Sequence, residues 1–154
     1  MLTWTIQNYL ERNNVPFEII EHPRTSTAEE TAHAAHVPEN EFAKTVIVWV
    51  DGQMTMVVTH ADERINLEKL RRVLNVEEVE LCSERDFKAR FPDCELGAMP
   101  PFGDLFRMPV LISESVPEKD YLALNAGTHT DIIKIPYEAF ERLVHPQHVD
   151  CVYH

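Results

Sequence analysis

The feature that most constrains this chain is the run Lys44-Thr-Val-Ile-Val-Trp-Val50, followed at once by Asp51-Gly52. β-Branched residues fit a pleated strand, and Asp-Gly is a strong signal for a tight hairpin turn. The chain must turn back on itself there, and Gln53 to Thr59 supplies the returning strand. A strand as continuously apolar as Thr45 to Val50 has no polar face to give to water. It belongs in the middle of a sheet, covered on both sides. Lys44 then stands at the strand's first residue, where a long side chain reaches a cleft at the sheet end. The same position suits an ordinary exposed lysine, and the residue alone favours that reading.

The remaining elements follow from periodicity and punctuation. Trp4, Ile6, Tyr9 and Leu10 recur at helical spacing and predict a helix to Arg12. Val15 to Glu21 reads as a strand, with Phe17 and Ile19 on one side and Glu18 and Ile20 on the other; His22-Pro23 closes it. Ser26 with Glu29 forms a capping box for a helix through Ala35. His33 and His36 lie on or just after that helix, and no carboxylate pattern completes a metal site around them, so they read as solvated. Asn66 caps a helix whose apolar stripe is Leu67, Leu70, Val73 and Leu74, with Lys69, Arg71 and Arg72 mostly off it. Val79 to Cys82 is a short strand, and Ser83 with Asp86 opens a helix to Arg90 with Phe87 and Phe91 inward. Met108 to Ile112, Tyr121 to Ala126 and Asp131 to Ile135 are strands, the last two separated by Gly127-Thr-His-Thr130. Pro136 suits a helix start, and Tyr137 to Val144 buries Phe140 and Leu143. The tail from His145 to His154 shows no pattern.

Between the helix ending at Arg90 and the strand at Met108 lies Pro92-Asp-Cys-Glu-Leu-Gly-Ala-Met-Pro-Pro-Phe-Gly103. Gly97 and Gly103 permit backbone angles closed to other residues, and Pro100 and Pro101 fix φ and remove two N–H donors. Such a loop is stiff and shaped, and it can wall a small-molecule pocket or serve as a plain connection. With 154 residues, no linker and no repeat, residues 1–154 are expected to form one α+β domain with a real core. Met1 to Leu10 lacks the basic start and apolar run of a signal peptide, and no apolar run approaches membrane-spanning length, so the cytoplasm is the expected location and no membrane is implied. The three cysteines, Cys82, Cys94 and Cys151, are scattered and make neither a disulfide framework nor a zinc pattern. Fourteen basic residues against 26 acidic ones give a net charge of −12, which argues against general attraction to nucleic-acid phosphates but allows recognition of one terminal nucleotide.

Four stretches in this order carry a resemblance: Lys44-Thr-Val-Ile-Val, Asn66-Leu-Glu-Lys-Leu, Glu95-Leu-Gly-Ala-Met-Pro-Pro-Phe-Gly103 and Asn125-Ala-Gly-Thr-His-Thr-Asp-Ile. The chain resembles the YbaK/EbsC family over about Val15 to Val144. That family includes the editing domain inserted in bacterial prolyl-tRNA synthetases and its free-standing relatives. The resemblance implies a mixed, mostly antiparallel and partly barrel-like central sheet flanked by helices. It implies aminoacyl-tRNA deacylation, with the 3′ end of an aminoacyl-tRNA as substrate, prolyl-tRNA synthetase as a partner, and neither cofactor nor metal.

On individual residues, the resemblance makes Lys44 the functional lysine at the sheet end. Gly97 and Pro101 match the family's GxxxP loop, so Gly97, Ala98, Met99, Pro100, Pro101 and Gly103 are expected to wall the pocket. Gly127 and His129 match a segment facing that loop, and His22 and Thr25, just after the first strand, are placed on the rim. Asp93 departs from the pattern, where relatives often carry glycine. No Ser/His/Asp order, metal cluster or paired carboxylate is visible, and an aminoacyl ester is already activated, so positioning plus electrostatics suffices. A non-catalytic module that kept the pocket for a nucleotide or amino acid stays open beside the hydrolase.

Overall fold

The computed structural model describes residues 4–154; Met1 to Thr3, at the head of the stretch read for a leader, lie outside the described residues. The predicted hairpin forms as β2 (Phe42–Val50) and β3 (Gln53–His60), antiparallel in unbroken register from Ala43↔His60 to Val50↔Gln53. Asp51 and Gly52 both take positive φ at its turn, as a tight hairpin requires. Around this pair lie β1 (Glu18–Glu21), β4 (Val79–Leu81), β5 (Val110–Ser113), β6 (Tyr121–Asn125), β7 (Asp131–Pro136) and β8 (Gln147–Val149). The sheet order is β1-β7-β6-β2-β3-β5-β8, with β4 also on β2. β1/β7, β6/β7, β2/β3 and β2/β4 are antiparallel; β2/β6, β3/β5 and β5/β8 are parallel. The result is a mixed α/β domain.

Helices cover both faces. On one face Ile47, Met56, Val58, Leu122, Leu124, Ile133 and Ile135 meet α1 (Trp4–Arg12), α6 (Tyr137–Val144) and the aromatic group of Phe87, Phe91 and Phe102. On the other, Val48, Val57 and Leu111 pack on Leu70 of α3 (Leu67–Leu74), and Phe42, Ala123 and Ile132 pack on Ala32 of α2 (Ala28–Ala34). This two-sided cover is what the continuous apolar run of β2 demanded. The caps of α3 at Asn66 and of α4 (Glu84–Phe87) at Ser83 form as read, each side chain accepting from the N3 backbone N–H.

Some local readings shift. The box at α2 uses Thr27 and Glu30, one residue later than Ser26 and Glu29, and the Glu30 carboxylate also takes the Ser26 N–H at 3.2 Å. Trp4 is 77% exposed although it sits at core spacing, because only Ile6, Tyr9 and Leu10 of α1 reach the sheet. Ile19 is 43% exposed and Ile20 packs inward with Ala32 and Phe42, since β1 is an edge strand with one neighbour. The tail is tied by backbone pairing: β8 runs parallel to β5, and Tyr153 N–H donates to the Arg64 carbonyl at 3.0 Å. Among the described residues no helix is long and apolar enough to cross a membrane.

Candidate functional site at the fork in the sheet

One edge of β2 is paired with β3 along its length. The other edge is shared: β6 takes Phe42 and Ala43, β4 takes Val48 to Val50, the Ile47 carbonyl accepts the Cys82 N–H at 3.0 Å, and among the described strands none pairs with Lys44 to Val46 on that side. Lys44 therefore stands where β6 parts from β2. Lys44 is half-buried, its ammonium makes one long contact, 3.5 Å to the Ala61 carbonyl, and among the described residues no carboxylate lies within ion-pair distance of it. A cation partly withdrawn from water without a counter-charge is unfavourable unless something else supplies it.

Strand alternation places Phe42, Lys44 and Val46 on one face. Register carries that face across the sheet to Thr59 on β3, to Ala123 and Asn125 on β6, to Ile132 on β7 and to Ile20 on β1, with His22 two positions on. His22 is 7% exposed and Asn125 6%, and Thr59 is fully buried. Nε2 of His22 and Oδ1 of Asn125 are buried with no hydrogen-bond partner among the described residues.

The Pro92–Gly103 loop folds onto Gly127–His129. Glu95 N–H donates to the Gly127 carbonyl at 2.8 Å, and Gly127 N–H donates to the Ala98 carbonyl at 2.9 Å. Gly97 (φ +85°) and Gly127 (φ +93°) supply left-handed turns that side chains rarely tolerate. A Cβ on Gly97 would lie 3.3 Å from Cε1 of His129. His129 holds the loop twice: its backbone N–H donates to Glu95 Oε2 at 3.1 Å, and its ring Nε2 donates to the Leu96 carbonyl. Asn125 Nδ2 donates to the Gly97 carbonyl at 3.4 Å. Glu95 also pairs with Arg24 at 3.0 Å. Burial pushes the Glu95 carboxyl up, but the Arg24 guanidinium and the His129 N–H outweigh it and hold the group below the usual carboxylate range.

The expected residues fall into groups. His22, Thr25, Gly97, Ala98, Gly127 and His129 are gathered: His22 N–H donates to the Thr130 carbonyl at 2.9 Å, and Thr25 N–H donates to the His129 carbonyl at 3.3 Å. The Thr25 hydroxyl turns toward Thr31 of α2, 2.6 Å away. Ala98, Met99, Pro100 and Pro101 are buried, so this half of the loop is anchored in the molecule, and the Met99 sulfur accepts the Gly97 N–H at 3.2 Å. Gly103 stands apart. It begins α5 (Gly103–Phe106) without positive φ, and a Cβ there would meet the Met108 carbonyl oxygen at 2.3 Å. Its glycine serves close packing against the chain before β5, not an unusual backbone angle. Asn125 and Thr59 were not singled out from the sequence. The one polar residue in Leu122-Ala-Leu-Asn-Ala126 was the available signal for Asn125.

Other chemistry is constrained. Burial pushes the thiols of Cys82 and Cys94 up to about 11 and that of Cys151 to about 12, so none is a thiolate at neutral pH. Among the described residues no group of three His, Cys, Asp or Glu side chains could hold a metal, and His33 and His36 are exposed. Hollows lined by His36, Val37, Tyr121 and Lys134, and by Tyr137, Glu141 and His145, contain none of the gathered residues, so size alone does not locate the site.

Comparison with known proteins bears on the family and the fold of the chain. A family model described as an aminoacyl-tRNA editing domain matches residues 22–143, a span running from His22 past His129. The chain is similar to a proline–tRNA ligase of Leuconostoc citreum (strain KM20), 35% identical over 74 residues that make up 48% of this chain and 13% of the ligase. A proline–tRNA ligase of Staphylococcus aureus (strain Newman) is 36% identical over 69 residues, 45% of this chain and 12% of the ligase. The matched segment thus spans only about an eighth of these curated relatives. Among solved structures, one described as a candidate trans-editing enzyme for prolyl tRNA synthetase superposes with TM-score 0.85 at 18% identity, covering 100% of both chains. A larger protein from Marinobacter aquaeolei VT8, described as a candidate signal transduction protein, superposes with TM-score 0.79 at 17% identity, covering 100% of this chain and 31% of the other. At such identities these likenesses speak to the fold.

Proposed function

The chain belongs to the aminoacyl-tRNA editing domain family, and from that premise we propose that residues 1–154 act in trans as one editing domain that hydrolyses the ester of a mischarged tRNA, tRNA-Pro carrying a small amino acid being the substrate class. The observation that carries the reading is Lys44: a half-buried lysine whose ammonium has no carboxylate partner among the described residues, at the fork of the sheet, on the same face as Asn125, whose amide holds the Gly97 loop. A cation there stabilises negative charge as it grows on the ester carbonyl oxygen. Water supplies the nucleophile. Its oxygen bonds to the carbonyl carbon, the ester C–O bond breaks, and a proton from that water ends on the ribose oxygen. The buried Pro100 and Pro101 give the loop a fixed boundary, and selection by size needs one.

The net charge of −12 favours a second reading, a binding module without catalysis, because it gives the protein little general hold on a polyphosphate. Within the hydrolase reading the same charge calls for a partner that supplies tRNA affinity, and prolyl-tRNA synthetase is the partner we assign. A deacylation panel with several mischarged tRNAs, run with and without that synthetase, separates the two readings. The hydrolase reading expects at least one ester to be cleared, and to be left intact by Lys44→Ala. Retained binding of the tRNA 3′ end with no ester cleaved would favour the binding module.

A further inference from the structure

The two unpartnered atoms on the site face are both acceptors, and their identity follows from their neighbours. Nδ1 of His22 lies 2.8 Å from the Pro23 carbonyl oxygen, which can only accept, so Nδ1 carries the hydrogen and in the neutral ring Nε2 is a bare lone pair. Asn125 Nδ2 faces the Gly97 carbonyl oxygen, which fixes the amide with Oδ1 turned away as a second acceptor. Both atoms are buried, and both residues lie on one face of the sheet with β7 between their strands. Their backbones are then roughly 12 Å apart, two strand spacings across the sheet and two residues along it, a gap that a ligand between the two side chains can span. Paired acceptors call for a donor. A ribose hydroxyl brings acceptor lone pairs of its own, whereas an ammonium brings three donors and no acceptor. The chain's negative charge favours a cation as well.

We infer that His22 Nε2 and Asn125 Oδ1 receive the free α-ammonium of the aminoacyl group, so that the site takes unblocked aminoacyl esters and refuses N-acylated ones. Lys44, turned toward the Ala61 carbonyl on the β3 side, is left to the ester carbonyl. This rests on the hydrolase reading for the name of its ligand and specifies which part of the substrate is recognised.

The test is binding by calorimetry at pH 7 of 3′-alanylamino-3′-deoxyadenosine, whose amide link resists cleavage, and of its N-acetyl form. The free amine should bind about tenfold tighter or more, the scale expected for a hydrogen bond to a charged group. Asn125→Leu, which also loses the tie to Gly97, should weaken the amine form more than the N-acetyl form and bring the ratio toward one, and His22→Phe should act in the same sense. Asn125→Asp, which keeps an acceptor in place, should preserve the preference, so a general loss of packing is told apart from loss of the acceptor. Equal binding of the two analogues by the unaltered protein, or no binding of the amine form, overturns the inference. Amine-selective binding without cleavage of any mischarged tRNA would sink the hydrolase reading and leave this one standing. Cleavage of tRNA esters with no preference between the analogues would do the reverse.

Discussion

The two edges of β2 make the most instructive contrast in the molecule. Toward β3 every residue from Ala43 to Val50 has a partner, and the side chains alternate between two apolar clusters, Ile47 and Met56 into one and Val48 and Val57 into the other. On the opposite edge the ladder passes from β6 to β4 and leaves Lys44 to Val46 without a strand. The first edge satisfies its polar groups within the sheet and buries apolar surface, which is where the stability lies. Beside the second edge stand a cation without a carboxylate, the unpartnered Oδ1 of Asn125 and a glycine loop tied to β6, with the unpartnered Nε2 of His22 two strands beyond, after β1. The function we propose lies where the pairing stops, beside a continuous side that holds the sheet together.

The contrast can be broken at either edge. The largest effect on folding is expected from Met56→Ala, on the continuous side. Met56 is fully buried, and the cavity should cost about 2–5 kcal/mol in urea unfolding, with unchanged deacylation per folded molecule. Next is Lys44→Ala, on the interrupted side. It should lower the deacylation rate about 10²–10³-fold, as removing one electrostatic donor does, and move stability by less than ~0.5 kcal/mol. Full activity in that variant would remove Lys44 from the chemistry. Gly97→Ala comes third. Its φ of +85° and the nearby His129 ring predict a stability loss on the order of 1 kcal/mol, accompanied by a larger fall in deacylation. A melting curve and a hydrolysis rate on the same preparation decide it, and wild-type values for both would reduce the loop to a connection.

The smallest effect concerns Glu95. Its carboxyl is held below the usual range in the folded protein by Arg24 and the His129 N–H, against the pull of burial. A depressed folded value stabilises above the unfolded value and is lost as pH falls through the folded one. The loop latch should therefore loosen in acid, below about pH 4.5, the ordinary carboxylate value. Thermal melts at pH 5 and pH 3 should show a larger drop for the unaltered protein than for Glu95→Gln. Equal drops would show that the carboxylate does not tie the loop.

Much of the proposed site was legible as residue types and little of it as a place. Lys44 and Gly97 stood out because a strand start and a loop glycine are local features. Their joint position was not legible, because Lys44 and Gly97 meet the same neighbourhood only through Asn125, whose partners depend on the β2–β6 and β6–β7 registers. Gly103 shows the opposite case. Its glycine was visible, but the reason for it, the Met108 carbonyl crowding its Cα, exists only after the chain before β5 has folded against it.

What the sequence determined by itself are the features set by near neighbours along the chain. The β2–β3 hairpin follows from β-branched runs around Asp51-Gly52, the caps at Asn66 and Ser83 from side chains that reach their own backbone, and the two-sided burial of β2 from an apolar run with no polar face. Even there the α2 cap slipped by one residue: the Thr27 hydroxyl takes the Glu30 N–H, and the Glu30 carboxylate receives the N–H groups of both Ser26 and Thr27. Tertiary structure alone decided the parallel pairings of β2 with β6, β3 with β5 and β5 with β8, the tying of the tail beside Arg64, and the alignment of His22, Lys44, Thr59 and Asn125 on one face. These contacts join residues far apart in the chain, so no local periodicity encodes them; they are selected by which arrangement buries both faces of the central strands at once.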